Sequence, residues 1–98
     1  MKQSECLGVN QQGHLTIGGC DTVLLAEQYG TPLYVMDEEG IRAACRSYRS
    51  SIDRFYGGRG MVCYASKAFC CKEICRIMDA EQMGLDVVSE GELYTALA

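Results

Sequence analysis

Short apolar runs alternate with amphipathic segments along most of the chain. Three runs, PLYVM, MVCYAS and LDVVS, have the length and composition of buried strands. Helical spacing follows each run, and the first predicted helix places on one face Ile41, Ala44, Cys45, Tyr48, Ile52 and Phe55. Strand followed by helix, three times over, predicts parallel strands that are buried on both faces and joined by helical crossovers.

The remaining positions of these predicted helices support the same pattern. Asp37 is placed to cap the first helix, and Arg42, Arg46 and Arg49 fall opposite its apolar face, where we interpret them as a solvated surface. The second helix, predicted from Cys71 to Met83, turns inward Ile74, Cys75, Ile77 and Met78. A third helix is predicted over EGELYTALA at residues 90–98.

The first thirty residues follow a different pattern. Residues 7–10 and 14–18 flank the polar turn QQG, which predicts a hairpin, and His14 is interpreted as a strand-surface residue without an acidic neighbour. Asp21 is placed to cap a short helix, TVLLAEQY, that ends at Gly30.

Two architectures fit the repeated strand–helix order: an open doubly wound sheet, or part of an eight-stranded barrel. A nucleotide-binding sheet needs its glycine-rich loop after a strand and before a helix. Here Gly57, Gly58 and Gly60 follow a helix and precede a strand. The glycine positions therefore argue against the nucleotide-binding alternative.

Composition and charge narrow the classes of function. The chain has 98 residues, 48% of them hydrophobic and 22% charged, with a formal net charge of −4. Its nine lysines and arginines are scattered, so no concentrated basic face indicates nucleic-acid binding. No segment resembles a signal peptide, and no apolar run approaches the roughly 18 residues of a membrane span. We therefore predict a cytoplasmic protein with no nucleic-acid or membrane partner.

Seven cysteines are many for this length. Cys70, Cys71 and Cys75 cluster, but their spacing matches no common zinc or redox motif, and His14 is the only histidine. We predict no metal site, and we interpret the cysteines as small buried thiols that stay reduced.

Lys67 is the first candidate for chemistry, in the stretch YASKAF. It falls at the carboxyl end of the second predicted strand, where ligands gather in both architectures. Desolvation beside a buried strand would favour the neutral, nucleophilic amine. The alternative is an ordinary surface lysine that keeps its ammonium group in water.

Two carboxylates are further candidates. Asp86 lies within the third apolar run, where a carboxylate needs a partner, and adjacent parallel strands would bring it near Lys67. Its alternative role is a structural ion pair or a hydrogen bond to a loop. Glu92 belongs to the sequence Ser89-x-x-Glu92, a capping box, so it is a helix cap, an active-site group, or both.

Three segments in order, TPLYVMDEEGIR, YASKAF and LDVVSEGELYTAL, resemble the N-terminal part of the diaminopimelate decarboxylases. These are pyridoxal-phosphate enzymes of the alanine-racemase-like barrel class, and the resemblance runs from about Leu15 to the last residue. It implies that Lys67 binds pyridoxal 5'-phosphate covalently, that Asp86 lies near the cofactor and the lysine, and that Glu92 approaches the lysine. Glu90 and Phe69 depart from the residues that the family often carries there.

The resemblance also implies an organisation. Residues 1–30 would contribute to a second, β-rich domain, and residues 31–98 would form the first three βα units of an incomplete (β/α)8 (TIM) barrel. The expected enzyme is a homodimer that decarboxylates the small-molecule substrate meso-diaminopimelate to L-lysine, and the 98-residue chain alone is expected to be inactive. Alternatives are a decarboxylase of the ornithine or arginine type, a catalytically silent relative that acts as a binding protein, and an unrelated small α/β binding domain.

Overall fold

The computed structural model describes residues 5–98 and divides them after Ile41 into two compact units. Unit 1 is the part up to Ile41, and unit 2 begins at Arg42. Along the chain the elements are β1 (Leu7–Val9), β2 (Leu15–Ile17), β3 (Cys20–Asp21), α1 (Thr22–Tyr29), α2 (Glu38–Tyr56), β4 (Cys63–Ala65), α3 (Lys72–Ala80), β5 (Gly84–Asp86) and α4 (Glu90–Leu97). A short 3-10 turn, Ser66–Ala68, follows β4.

Unit 1 contains the predicted hairpin. Strands β1 and β2 pair antiparallel with Leu7 opposite Ile17, and β3 adds a short third strand beside β2. Asp21 caps α1 as predicted, because its Oδ1 accepts hydrogen bonds from the backbone N–H groups of Val23 at 2.8 Å and Leu24 at 3.4 Å. The helix ends at Gly30, whose φ of 81° is accessible to glycine at little cost.

His14 has an acidic partner that the linear sequence did not suggest. Its Nδ1–H donates to Asp21 Oδ2 at 2.9 Å, and Asn10 Nδ2 donates to the same oxygen at 2.8 Å. The hydrogen bond from His14 is the largest cause that holds the pKa of Asp21 below its ordinary value. The expectation that His14 lacks an acidic neighbour is therefore wrong, because strand pairing brings together residues seven positions apart.

The predicted strand PLYVM does not form. Residues 32–36 have no strand hydrogen bonding in the described chain, and Tyr34 is 96% exposed. An apolar run becomes a strand only where a neighbouring strand satisfies its backbone groups, and the described part of unit 1 provides none here. The helix cap that follows is as predicted, since Asp37 Oδ2 accepts from the Gly40 N–H at 3.1 Å.

Unit 2 is built on a parallel strand pair. Strand β4 pairs with β5 so that Ala65 lies opposite Asp86, and α3 connects the two. The second and third predicted strands are thus confirmed, although each is shorter than predicted. The buried hydrophobic residues of the described chain all lie in this unit, and they are Cys45, Ile74, Ile77 and Met78. Gly84 allows close packing, because an added Cβ would lie 2.7 Å from Cys63 Sγ.

Helix α2 corrects two expectations. Arg42 and Arg46 do not form a purely solvated face, since their guanidinium groups hold Glu81, after α3, at 3.1 and 3.0 Å. Because α3 ends against this face, the arginines have a carboxylate within reach that the helical period alone could not show. Conversely, the predicted apolar face is only partly covered, with Tyr48 62% and Phe55 70% exposed.

The cysteines correct a further expectation. No disulfide joins the seven cysteines, all of which lie within the described residues, but only Cys45 is buried, whereas Cys20 and Cys63 are exposed. Within residues 5–98, no group of three or more histidine, cysteine or acidic side chains is placed to hold a metal ion. None of the helices in the described part combines the length and the hydropathy of a membrane span.

Candidate functional site

Lys67 lies in the 3-10 turn that directly follows β4. It therefore occupies the carboxyl end of a parallel strand, where the sequence placed it. Its side chain is exposed, so the expected desolvation of the amine is absent. No ion pair with a carboxylate is formed by Lys67 among the described residues, and the amine is open to a ligand.

Asp86 is the last residue of β5 and lies opposite Ala65, two positions before Lys67. The ends of the two strands therefore lie side by side, as predicted. The Asp86 side chain is exposed, whereas the sequence suggested a carboxylate inside an apolar strand that needs a partner. The difference arises because β5 ends at Asp86, so water can solvate the carboxylate.

Ser66 joins the two strand ends. It is the most buried residue in the described chain, at 1% exposure, and its Oγ–H donates to the backbone carbonyl of Asp86 at 2.8 Å. A buried hydroxyl without a partner is unfavourable, and this bond satisfies it. The bond extends the contact between β4 and β5 past their last ladder pair, immediately before Lys67.

Tyr64 closes the other side of the same turn. Its phenol donates to the carbonyl of Phe69 at 2.8 Å, which ties β4 to the backbone two residues after Lys67. Burial is the largest cause that raises the pKa of Tyr64, so the phenol keeps the proton that it donates. Lys67 is therefore bracketed by two side-chain-to-backbone hydrogen bonds, from Tyr64 and Ser66.

Glu92 starts helix α4. The Ser89 Oγ accepts from the Glu92 N–H at 3.2 Å, and Glu92 Oε2 accepts from the Val88 N–H at 2.6 Å. The predicted capping role is confirmed. The carboxylate accepts from the residue that precedes the N-cap rather than from the N-cap itself. No hydrogen bond or ion pair joins Glu92 to Lys67 in the described residues. An active-site role for Glu92 stays a prediction.

Three thiols follow the lysine turn. Cys71 is the N-cap residue of α3, and the Cys75 N–H donates to its carbonyl at 3.1 Å. Burial is the largest cause that raises the pKa of Cys75, and the neighbouring Cys70 thiol raises it further. A raised pKa keeps the Cys75 thiol protonated, which does not favour a nucleophilic role.

Ser66 and Tyr64 are the residues that sequence reasoning missed. Both stand within YASKAF, yet neither was singled out beside the lysine. A hydroxyl in an otherwise apolar strand was the available signal, because a buried polar side chain requires a partner. The partner itself could not be identified, since Asp86 lies 20 positions away.

The sequence of this chain is similar to those of known proteins that share one name. A chain from Synechocystis sp. named diaminopimelate decarboxylase is 46% identical over 90 residues, which are 92% of this chain and 19% of that protein. The Bacillus methanolicus protein of the same name is 51% identical over 89 residues, 91% of this chain and 20% of its own length. This chain thus spans about a fifth of the length of the curated relatives it matches.

The fold comparison agrees. A crystal structure of diaminopimelate decarboxylase from M. jannaschii, in co-complex with L-lysine, matches 95% of this chain and 22% of that chain, with a TM-score of 0.85 and 38% identity. The predicted fold class is confirmed: an α/β chain that forms the N-terminal part of a (β/α)8 barrel and carries a leading β-hairpin. The assignment of residues 1–30 to a second domain stays a prediction.

The family comparison covers the region that holds the lysine turn, both parallel strands and the capped helix α4. The family described as "Pyridoxal-dependent decarboxylase, pyridoxal binding domain" matches residues 38–98. Lys67, Asp86 and Glu92 all fall within that match. On this match, the chain belongs to the pyridoxal-dependent decarboxylase family, within its pyridoxal-binding domain.

Proposed function

We propose that this chain is the N-terminal portion of a pyridoxal 5'-phosphate-dependent decarboxylase that converts meso-diaminopimelate to L-lysine and carbon dioxide. The observation that carries the proposal is the position of Lys67, exposed at the carboxyl end of β4 inside a region that matches a pyridoxal-binding family. The proposed substrate is taken from the name of the relatives, diaminopimelate decarboxylase, and the M. jannaschii structure is a co-complex with L-lysine.

The residues present fit the cofactor by their chemistry. Lys67 offers a primary amine that is exposed and has no ion-pair partner among residues 5–98, as condensation with an aldehyde requires. Asp86 offers an exposed carboxylate at the end of the neighbouring strand. When bound, pyridoxal 5'-phosphate supplies an electron sink for the loss of carbon dioxide. We propose Lys67 as the covalent attachment point and Asp86 and Glu92 as neighbouring cofactor-binding residues.

The turn geometry supports the proposed role of the lysine. Hydrogen bonds from Ser66 and Tyr64 hold the backbone on both sides of Lys67, so the amine extends from a fixed backbone while its side chain is exposed to solvent. Attachment and release of a bound group require both properties, since the amine has to reach one position repeatedly. The capped start of α4 holds Glu92 in the same way, because its carboxylate is engaged with the Val88 N–H.

The attachment point is tested by trapping. Borohydride treatment of the full-length protein that contains this chain, followed by peptide mass spectrometry, should find the cofactor on Lys67. Lys67→Ala should abolish turnover, whereas Lys72→Ala, at an exposed lysine at the start of α3, should leave turnover unchanged. Cofactor trapped on Lys72 in the wild-type protein would show that the assignment is wrong.

The substrate is tested by competition between amino acids. Discrimination built on buried hydrogen bonds to a distal polar group reaches roughly 10⁴-fold. We expect kcat/KM for meso-diaminopimelate to exceed the values for ornithine, arginine and lysine by about that factor. Comparable rates on ornithine would move the assignment to a neighbouring decarboxylase and leave the role of Lys67 intact.

The proposal also covers assembly and location. We propose a cytoplasmic homodimer in which residues 1–30 contribute to a β-rich domain and residues 31–98 begin the barrel, without nucleic-acid or membrane partners. Light scattering on the full-length protein measures the subunit number, and a monomer that is fully active contradicts the dimer.

Residues 1–98 alone are expected to be inactive and aggregated. Large apolar side chains are exposed in both units, among them Val9, Tyr34, Phe55, Met61 and Leu97. Such surface associates in water unless another part of the protein covers it. Size-exclusion chromatography should show oligomers or aggregates, and a monodisperse, cooperatively unfolding monomer would contradict this expectation.

A further inference from the structure

The hydrogen bond between Ser66 and the Asp86 carbonyl lies directly beside the candidate site. Ser66 directly precedes Lys67, and its partner is the backbone of the residue proposed to lie beside the cofactor. No other residue in the described chain is as fully buried. A single interaction therefore couples the ends of the two strands that carry the proposed cofactor-binding groups.

The alternative anchors of the lysine turn are few. The β4–β5 ladder ends at the pair Ala65 and Asp86, so the ladder does not hold Ser66 or Lys67. The 3-10 turn has no side-chain cap at its start. Only Tyr64 contributes a second side-chain anchor within this stretch of the described residues, at the carbonyl of Phe69 on the far side of the turn. Removing the Ser66 hydroxyl would free the near side of the turn and leave the Asp86 carbonyl without that donor.

We propose that Ser66 is a positioning residue for Lys67: its hydroxyl fixes the start of the lysine turn to the end of β5, which keeps the amine in place for covalent cofactor attachment. The inference rests on the proposed function, since it requires Lys67 to be the attachment point. Reactions that depend on the alignment of two groups lose up to roughly a hundredfold in rate when one is displaced by about 1 Å. The Lys67 side chain itself remains unchanged in a Ser66 variant.

Ser66→Ala removes the hydroxyl, and Ser51→Ala is the matched control. Ser51 also donates to a backbone carbonyl, that of Ser47 at 3.0 Å, but on the exposed face of α2. In the full-length protein, Ser66→Ala should slow borohydride-trapped attachment of pyridoxal 5'-phosphate to Lys67 by about tenfold to a hundredfold. Ser51→Ala should attach the cofactor at the wild-type rate.

Two further measurements separate positioning from general loss of structure. Kinetics of the cofactor-saturated Ser66→Ala protein should show a lower kcat with KM changed by less than about twofold, because substrate binding is retained. Hydrogen exchange of the cofactor-free protein should be faster in the peptide covering residues 64–69 and unchanged in α2. Should Ser66→Ala fail to fold, Ser66→Cys replaces the hydroxyl with a slightly larger thiol that is a much weaker donor, and it should show the same slow attachment.

The outcomes distinguish the two proposals. Wild-type protein that attaches no cofactor at Lys67 overturns the proposed function and with it the role of Ser66. Wild-type protein that attaches cofactor normally, together with Ser66→Ala and Ser66→Cys proteins that match Ser51→Ala, overturns the role of Ser66 alone. Slow attachment combined with wild-type hydrogen exchange at residues 64–69 also contradicts the positioning role, because the turn would then be held without the hydroxyl.

Discussion

The two units of this chain are stabilised in different ways. In unit 1, no described residue is buried, and the contacts are local: an antiparallel hairpin and the hydrogen bonds among Asn10, His14 and Asp21. In unit 2, a parallel strand pair is connected by α3, and the buried apolar side chains come from α2 and α3. The candidate site lies wholly in unit 2. Lys67 therefore lies in the unit in which long-range contacts hold the backbone in place.

The difference has a physical reason. A hairpin needs only adjacent residues, so its hydrogen bonds form at a small cost in chain entropy. Parallel strands need a crossover, and here α3 brings residues about twenty positions apart into register. Such an arrangement is stable only where apolar side chains are buried, which is why the core and the site occur together.

The largest contrast between the units is expected from truncation of apolar side chains. Ile77 is 3% exposed in unit 2, and Ile77→Ala should lower the free energy of unfolding by about 2–5 kcal/mol through lost burial and a residual cavity. Leu24, 59% exposed in unit 1, is the matched control, and Leu24→Ala should change stability by less than about 0.5 kcal/mol. Chemical denaturation of the full-length protein measures both. Equal losses would mean that Leu24 is buried in the full-length protein.

Glycine substitution offers a smaller contrast. At Gly84, an added Cβ would lie 2.7 Å from Cys63 Sγ and 2.9 Å from Met61 Sδ, so Gly84→Ala should destabilise by about 1–3 kcal/mol. At Gly8, in unit 1, the added Cβ would meet only the Thr16 hydroxyl, at 2.9 Å. The loss for Gly8→Ala should be smaller, because that hydroxyl can rotate away. Thermal unfolding compares the two, and Cys63→Ala should partly restore the Gly84→Ala variant.

Acid should act on unit 1 through Asp21. Its pKa is lowered in the folded state, chiefly by the hydrogen bond from His14, so its contribution to stability is complete above the ordinary value of 3.8 and is lost as the pH falls through the lower folded value. Asp21→Asn should therefore be less stable than wild type at neutral pH, and the difference should shrink below pH 3.8. Unfolding measured over that range tests the sign. A difference that grows with acid would contradict it.

The smallest effect concerns thiol reactivity within unit 2. Burial and the nearby Cys70 thiol raise the pKa of Cys75, so little reactive thiolate is present near neutral pH. Alkylation with iodoacetamide should be slower at Cys75 than at the exposed Cys63, and the rate at Cys75 should rise as the pH increases. Peptide mass spectrometry measures both sites in one sample. Faster reaction at Cys75 would indicate a more solvated thiol than the structure shows.

Local patterns predicted much of the secondary structure. Capping residues gave the correct helix starts at Asp21, Asp37 and Ser89, because each cap satisfies backbone donors within three residues of itself. Helical periodicity located α2 and α3, because side chains three or four positions apart lie on the same face of a helix. It overestimated what α2 buries, since Tyr48 and Phe55 lie on the predicted apolar face and are exposed. The helical period of apolar residues indicates which side chains share a face of the helix, but not which residues cover that face.

Nonlocal contacts account for the failures. PLYVM has the composition of a strand, but strand formation depends on a hydrogen-bonded neighbour that the described chain does not provide. The contacts of Arg42 and Arg46 with Glu81 join residues more than thirty positions apart. No local pattern distinguishes such an arginine from one that faces water.

The sequence by itself determined the helix starts, the hairpin, the strand–helix order from the second predicted strand onward and the place of Lys67 after that strand, since these depend on neighbouring residues and on the period of apolar side chains. Only the tertiary structure decided which carbonyl accepts from Ser66, which phenol closes the turn after Lys67, and that Asp86 ends its strand in solvent. The Ser66 contact depends on the register of β4 against β5, in which Ala65 pairs with Asp86. Register is a property of two segments together, so neither segment specifies it alone.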